Sequence, residues 1–156
     1  MLARKQIFTP AEYLALEQVA TDKNEFYQGE IFAMSGGTPD HSVIAVNLTA
    51  ELRQALAAKP CRVFNSDMRL SIPRSNLFTY PDVMVVCGKI QYAENRKDTI
   101  TNPLVIGEVL SDSTREYDRD KKFNFYRQIP GLQEYVLIES ERASASVSPR
   151  RRVMDF

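Results

Sequence analysis

The 156 residues of this chain suit a single domain, and a chain of that size buries roughly 68–70% of its unfolded surface in one core. Twenty basic residues balance twenty acidic ones, so the formal net charge is zero. That balance argues against a tight, non-specific binder of nucleic acid or of an anionic membrane, although it leaves room for a local basic groove.

The cysteines and the apolar runs indicate the cellular compartment of the protein. Cys61 and Cys87 lack the spacing of a metal motif, and Cys87 ends an apolar run, which favours a small buried thiol. No secretory signal begins the sequence, and no apolar run reaches the roughly 18 residues of a membrane-spanning helix. We therefore expect a cytoplasmic protein with reduced thiols and no membrane association.

The N-terminal third is predicted to form a helix and a hairpin. Thr9 fits an N-cap, Pro10 the first helical position and Glu12 the third-position acid of a capping box, in a helix that ends near Thr21. Two short strand patterns then flank Gln28-Gly29, a dipeptide suited to a hairpin turn.

The rest of the chain is predicted to place two helices among strands. The predicted elements are a helix over 40–57 capped by Asp40, a strand over 62–72, a polar turn over 73–79, a strand over 80–87, a loop over 88–102, a strand over 104–110, a helix over 115–128 and a strand over 134–138. This order predicts an α/β domain in which helices flank a mixed sheet, after an N-terminal helix and hairpin.

The C-terminal residues show no regular period. The domain is predicted to span 1–140, and 141–156 are predicted to be a disordered or truncated tail ending in a solvated basic cluster at 150–152. The strand over 134–138 would then be an exposed sheet edge, with weak protection of its amides from hydrogen exchange.

Two predicted strands each carry a carboxylate that an apolar run does not need. Asp82 begins the strand over 80–87, and Glu108 lies within the strand over 104–110. A buried carboxylate is costly unless it is paired or holds a cation. Two of them on neighbouring strands point to a shared divalent metal such as Mg²⁺.

Two further side chains could complete a site for phosphodiester hydrolysis, which needs a cation near the attacking water or the scissile phosphate. At helical spacing Lys122 shares a face with Tyr126, so its ammonium is expected to reach the sheet, whereas Lys121 is expected to face water. His41 is the single histidine, and near a helix N-terminus it could bind phosphate, act as a general base or hold a metal ligand in place.

Pro81-Asp82, Glu108-Val109-Leu110 and Lys122 together resemble the PD-(D/E)xK signature of the restriction-endonuclease-like superfamily. More narrowly, the chain is similar to the large bacterial "Uma-two" family of restriction endonucleases, long filed as a domain of unknown function. The resemblance covers roughly residues 8–140. The stretches that carry it are 25–30, 40–41, 80–83, 103–111, 118–126 and 134–138.

The resemblance implies a restriction-endonuclease-like fold, Mg²⁺ or Mn²⁺ as cofactor and DNA as substrate. It implies Asp82 and Glu108 as metal ligands. The signature places the lysine two residues after the second acid, where this chain has Leu110, and the family moves it to the next helix, where Lys122 fits. Glu30, His41 and Asp67 fall where the family places further polar groups, and such nucleases tend to act as homodimers.

Other interpretations of these residues remain open. Glu108 and Lys122 could form a structural ion pair, Glu30 could be a solvated turn acid, and Asp67 could lie near Arg69 on one strand face. A non-catalytic module that binds nucleic acid or protein would keep the fold without the chemistry, and the zero net charge favours it. A glycosidase-like carboxylate pair is disfavoured, since it does not need the lysine.

Overall fold

The structure, a computed structural model, describes residues 5–34, 36–111, 117–140 and 144–149, with only the backbone described at 117–119 and 144–149. The helical elements are α1 (Pro10–Val19), α2 (Pro39–Ala55), a 3₁₀ turn (Pro73–Ser75), a π-helical turn (Tyr117–Lys122) and α3 (Phe123–Tyr126). The strands are β1 (Asn24–Tyr27), β2 (Glu30–Ala33), β3 (Cys61–Asn65), β4 (Arg69–Ile72), β5 (Leu77–Thr79), β6 (Val83–Cys87), β7 (Thr99–Ile100), β8 (Val105–Leu110), β9 (Glu134–Glu139) and β10 (Ser144–Pro149).

The strands form two mixed sheets that share a core. The first sheet has the order β2-β1-β5-β4-β7 and the second has the order β10-β9-β8-β6-β3. Only β4–β7 and β8–β9 are parallel pairs among these neighbours. Apolar side chains of both sheets pack with α3 in one cluster, which includes Leu70, Met84, Ile106 and Tyr126. The predicted α/β fold with a mixed sheet is confirmed.

The N-terminal helix and hairpin form as predicted. Thr9 and Glu12 exchange both hydrogen bonds of a capping box, and Pro10 begins α1. The hairpin turn needs a positive φ at both central residues, 48° at Gln28 and 90° at Gly29. Tyr13 of α1 then packs on Phe26 of β1, with ring centroids 5.1 Å apart.

The strand predicted over 62–72 is two strands in different sheets. A turn separates them, in which the Asn65 side chain accepts from the Asp67 amide and the Met68 amide bonds to the Asn65 carbonyl. β3 pairs with β6, whereas β4 pairs with β5 and β7. An alternating pattern of side chains continues across a tight turn as readily as along one strand, so the pattern did not reveal the break. β5 and β7 add strands beside β4, where the sequence predicts a turn and a loop.

Both later helices differ from the prediction at their ends. Thr38, not Asp40, caps α2, and its hydroxyl accepts from the His41 amide. Leu48 of α2 packs closely on β8, where a Cβ on Gly107 would lie 2.9 Å from the Leu48 methyl. The helix predicted over 115–128 is the π-helical turn followed by α3, and residues 115 and 116 lie outside the described residues.

The two cysteines form a disulfide, so the prediction of free, reduced thiols is wrong. The antiparallel register of β3 and β6 places Cys61 directly opposite Cys87. The two cysteines are 26 residues apart in sequence. Their proximity depends on which strands pair, and the sequence spacing does not reveal that pairing.

β10 corrects the prediction at the C-terminal end. It pairs antiparallel with β9, whose other neighbour is β8, so β9 is not an exposed edge. Residues 141–143 and 150–156 of the predicted tail, with the basic cluster, lie outside the described residues. No helix in the part of the chain that the structure describes is long and apolar enough to cross a membrane.

Candidate functional site

The pairing of β6 with β8 brings the two predicted carboxylates together. Val83 is the register partner of Gly107, so extending the antiparallel pair by one residue sets Asp82 opposite Glu108. The Asp82 amide lies 3.4 Å from Glu108 Oε2, and the Val109 amide donates to Asp82 Oδ2 at 2.8 Å. Both side chains are largely buried, with 16% and 4% of their surfaces exposed.

The helical segment after β8 supplies two donors to Glu108. Lys122 Nζ lies 3.2 Å from Glu108 Oε1, and the Tyr126 hydroxyl donates to the same oxygen at 2.7 Å. Lys122 ends the π-helical turn and is buried, whereas Lys121 is exposed. The structure therefore places both Asp82 and Lys122 beside Glu108.

Glu25 is a third acid at this site, and the sequence analysis did not assign it there. Its Oε1 accepts from the Thr79 hydroxyl at 2.8 Å and lies 3.9 Å from Lys122 Nζ. The signal that could have found it is the one used for Glu108, since a glutamate within a short predicted strand is unfavourable without a partner. Its partner is nearly a hundred residues away, so the sequence did not identify it.

His41 reaches the site from the first turn of α2. Its Nε2 lies 3.2 Å from Asp82 Oδ2, the oxygen that also accepts from the Val109 amide. Of the three roles that the sequence left open, this contact favours the one in which His41 holds a ligand in place.

Hydrogen bonds set the charge states of the site. Burial alone raises the pKa of Asp82, but the bonds from His41 and the Val109 amide outweigh it and lower the pKa below its usual value. Burial, reinforced by the negative charge of Glu108, raises the pKa of Tyr126 well above its usual value. Asp82 is therefore an anion at neutral pH, and Tyr126 keeps the proton that it donates to Glu108.

The donor set suits a divalent cation that is only partly enclosed by protein. Among the described residues, no three His, Cys, Asp or Glu side chains lie close enough together to hold a metal ion by themselves. Mg²⁺ is commonly bound by one or two carboxylates, while waters and substrate phosphates fill the remaining positions. Asp82 and Glu108 fit the protein part of such a site.

A cleft of about 840 Å³ gives access from solvent to the His41 and Asp82 side of this cluster. His41 and Asp82 line it, together with α2, the loop before α2 and the turn between β3 and β4. Its other charged side chains are Asp22, Lys23 and Arg53. A polymer with charged phosphates could enter along this cleft and reach Asp82.

Two candidates from the sequence lie elsewhere. Glu30 forms an ion pair with Lys5 at 2.7 Å, and Asp67 forms one with Lys23 at 2.8 Å while 80% of its side chain is exposed. Arg69 does not contact Asp67. It bonds to Tyr80 and Thr99, because the turn before β4 sends the two side chains apart.

Known proteins are similar to this chain over most of its length. The Uma2 family model, described as "Putative restriction endonuclease", matches residues 10–152. In Synechocystis sp. (strain ATCC 27184 / PCC 6803 / Kazusa), the "Uncharacterized protein sll1609" is 43% identical over 139 residues, or 89% of this chain and 78% of that protein. The "Uncharacterized protein slr1290" of the same organism is 41% identical over 134 residues, or 85% of this chain and 68% of that protein.

A solved structure is also similar. It is the crystal structure of a "putative nuclease belonging to DUF820" from Anabaena variabilis ATCC 29413, which matches 94% of this chain and 83% of that one with a TM-score of 0.76. At 20% identity this similarity shows a shared fold. Because the family model spans most of the chain, the protein belongs to the Uma2 family, described as putative restriction endonucleases, and it has their nuclease-like α/β fold.

Proposed function

We propose that this protein is a Mg²⁺-dependent endonuclease that hydrolyses DNA phosphodiester bonds, with Mn²⁺ as an alternative cofactor. One observation carries the proposal: Asp82, directly before β6, lines a cleft and adjoins the buried Glu108 of the paired strand β8, and a lysine from the next helical segment contacts Glu108. Family membership supports a nuclease, and the geometry supports metal-dependent chemistry.

Each residue has a distinct part in this proposal. Asp82 and Glu108 would hold the cation, which when bound supplies a Lewis acid and an activated water. His41 orients the Asp82 carboxylate through its bond to Oδ2. Lys122 offers a fixed positive charge, which stabilises negative charge that develops on the phosphate oxygens.

The proposal also covers the domain extent, the oligomeric state and the cellular location. All four residues lie within 1–140, and β10 adds a strand from beyond residue 140 to the same domain. We propose a symmetric homodimer, because cleavage of both strands of a duplex needs two sites. We also propose a cytoplasmic location, where DNA is present, although the Cys61–Cys87 disulfide is unusual for that compartment.

Plasmid nicking tests the proposal. Wild-type protein should relax supercoiled DNA with Mg²⁺ or Mn²⁺ and stay inactive with EDTA. Asp82→Asn, Glu108→Gln and Lys122→Met should each reduce the rate on the order of a hundredfold or more, as expected when several kcal/mol of transition-state stabilisation are lost. Glu30→Gln is the matched control, because Glu30 pairs with Lys5 away from the cluster. Cleavage that survives both carboxylate substitutions would defeat the assignment.

A non-catalytic module that binds nucleic acid or protein is the second candidate. The zero net charge favours it, as does the direct contact of Lys122 with Glu108, which could serve stability alone. Wild-type protein that binds DNA and never cleaves it with either metal would support this alternative.

A further inference from the structure

Tyr126 is a buried tyrosine whose hydroxyl contacts a proposed metal ligand. Its surface is fully buried, and its ring packs edge-on against Tyr135 with centroids 5.1 Å apart. Packing explains the ring, but a phenylalanine would pack equally well. The hydroxyl needs its own explanation, and its contact is Glu108 Oε1 at 2.7 Å.

The contacts of Glu108 are divided between its two oxygens. Oε1 accepts from Tyr126 at 2.7 Å and from Lys122 at 3.2 Å, both on the helical side. Oε2 lies on the side of Asp82, 3.4 Å from its amide. A short bond from a rigid, buried ring fixes the carboxylate more firmly than a lysine does, because the lysine side chain has four rotatable bonds.

We propose that Tyr126 is a positioning residue, whose hydroxyl holds Glu108 Oε1 so that Oε2 faces Asp82 and the divalent cation. This inference rests on the proposed function, because it concerns the same metal. It gives Tyr126 a part that neither the sequence motifs nor the family match assigns. Partners that orient metal ligands in this way typically change metal affinity 10- to 100-fold when they are removed.

Tyr13 provides a matched control. It is as fully buried as Tyr126, and its hydroxyl also makes a short bond, 2.6 Å to the Asn24 carbonyl, but in the separate cluster under α1. Tyr13→Phe and Tyr126→Phe therefore remove the same atom from similar surroundings. Only Tyr126→Phe changes a contact of the carboxylate pair.

The experiment is calorimetric titration of the metal-free protein with Mn²⁺. Tyr126→Phe should bind Mn²⁺ 10- to 100-fold more weakly than wild type, and Tyr13→Phe should bind like wild type. In the cleavage assay, Tyr126→Phe should need more metal for half-maximal rate and recover most of its maximal rate at saturating metal. Far-UV circular dichroism confirms that both variants are folded.

The other outcomes are distinguishable. Wild-type affinity in Tyr126→Phe, or equal weakening in Tyr13→Phe, would overturn the inference and leave the proposed function standing. Wild-type protein that binds no divalent metal would overturn both. If Tyr126→Phe does not fold, wild-type protein labelled with ¹³C at tyrosine Cζ replaces it. Mg²⁺ should then shift the Tyr126 resonance and not that of Tyr13, and an unmoved Tyr126 resonance refutes the inference.

Discussion

At the scale of single residues, Lys122 lies between two carboxylates that come from different sheets. Glu108 on β8 is 3.2 Å from its ammonium, and Glu25 on β1 is 3.9 Å away. Glu25 is itself fixed by the Thr79 hydroxyl. An ammonium with carboxylates on two sides is restrained more than one with a single partner, so Glu25 should affect the site through Lys122.

A double-mutant cycle tests this coupling. Glu25→Gln should slow plasmid cleavage about tenfold, equivalent to roughly 1.4 kcal/mol, and should add little in a Lys122→Met background. The readout is the initial nicking rate of the four proteins, with Glu30→Gln as the control. Equal losses in both backgrounds would mean that Glu25 acts independently of Lys122.

Asp98 gives a prediction about pH and stability. Hydrogen bonds from Arg96, then from Thr99, and the charge of nearby Arg69 lower the pKa of Asp98 to about 2 from its usual 3.8. A carboxyl group with a lowered pKa in the folded state stabilises the protein above its usual pKa, and this stabilisation is lost as the pH falls through the folded value. Between about pH 4 and pH 2, the urea midpoint should therefore fall more in wild type than in Asp98→Asn. Parallel curves for the two proteins would contradict the prediction.

At the scale of elements, the Cys61–Cys87 disulfide joins β3 to β6 at the end far from Asp82. β3 is one of the two edge strands of its sheet, and its last residue, Asn65, lines the cleft together with Ser66 of the following turn. The disulfide therefore secures an edge that would otherwise depend on one row of backbone hydrogen bonds and on packing against α2.

Reduction should lower stability without removing the site. The bond closes a segment of 26 residues, for which chain entropy gives a stabilisation of about 3.5 kcal/mol. Urea unfolding with and without dithiothreitol measures the change, and the Cys61→Ser/Cys87→Ser variant, which should match reduced wild type, controls for the reductant. An unchanged midpoint on reduction of wild type would show that the disulfide does not stabilise the fold.

At the scale of the whole molecule, the strand order decides which strands of the second sheet are interior. β9 is interior to the second sheet because β10 pairs with it along six residues. In a strand between two neighbours, alternate amides bond to opposite sides, here to β8 and β10. The protection of alternate β9 amides from hydrogen exchange therefore depends on β10.

Hydrogen exchange tests this arrangement. The amides of Glu134–Glu139 should be protected about as well as those of Val105–Leu110, and better than those of the edge strand Cys61–Asn65. A variant that ends at residue 140 should lose protection at alternate β9 amides and aggregate more readily. Uniformly weak exchange protection across β9 in the full chain would count against β10 as its partner.

The sequence by itself determined the elements whose signals are local. The capping box of α1 and the turn at Gln28-Gly29 could be predicted because capping and turn geometry depend on neighbouring residues. β6 and β8 were evident from apolar runs, and each showed a carboxylate that such a run does not need. The face of Lys122 followed from helical spacing, so the three residues of the signature were found before their proximity was known.

The tertiary structure decided what depends on pairing over distance. The break between β3 and β4, the disulfide and the pairing of β10 each follow from strand register, which no local pattern encodes. Glu25 and Tyr126 join the site because separate elements converge on Lys122 and Glu108. Local chemistry selects helix, strand or turn, whereas burial of the whole core selects which strands become neighbours, and the site lies where they meet.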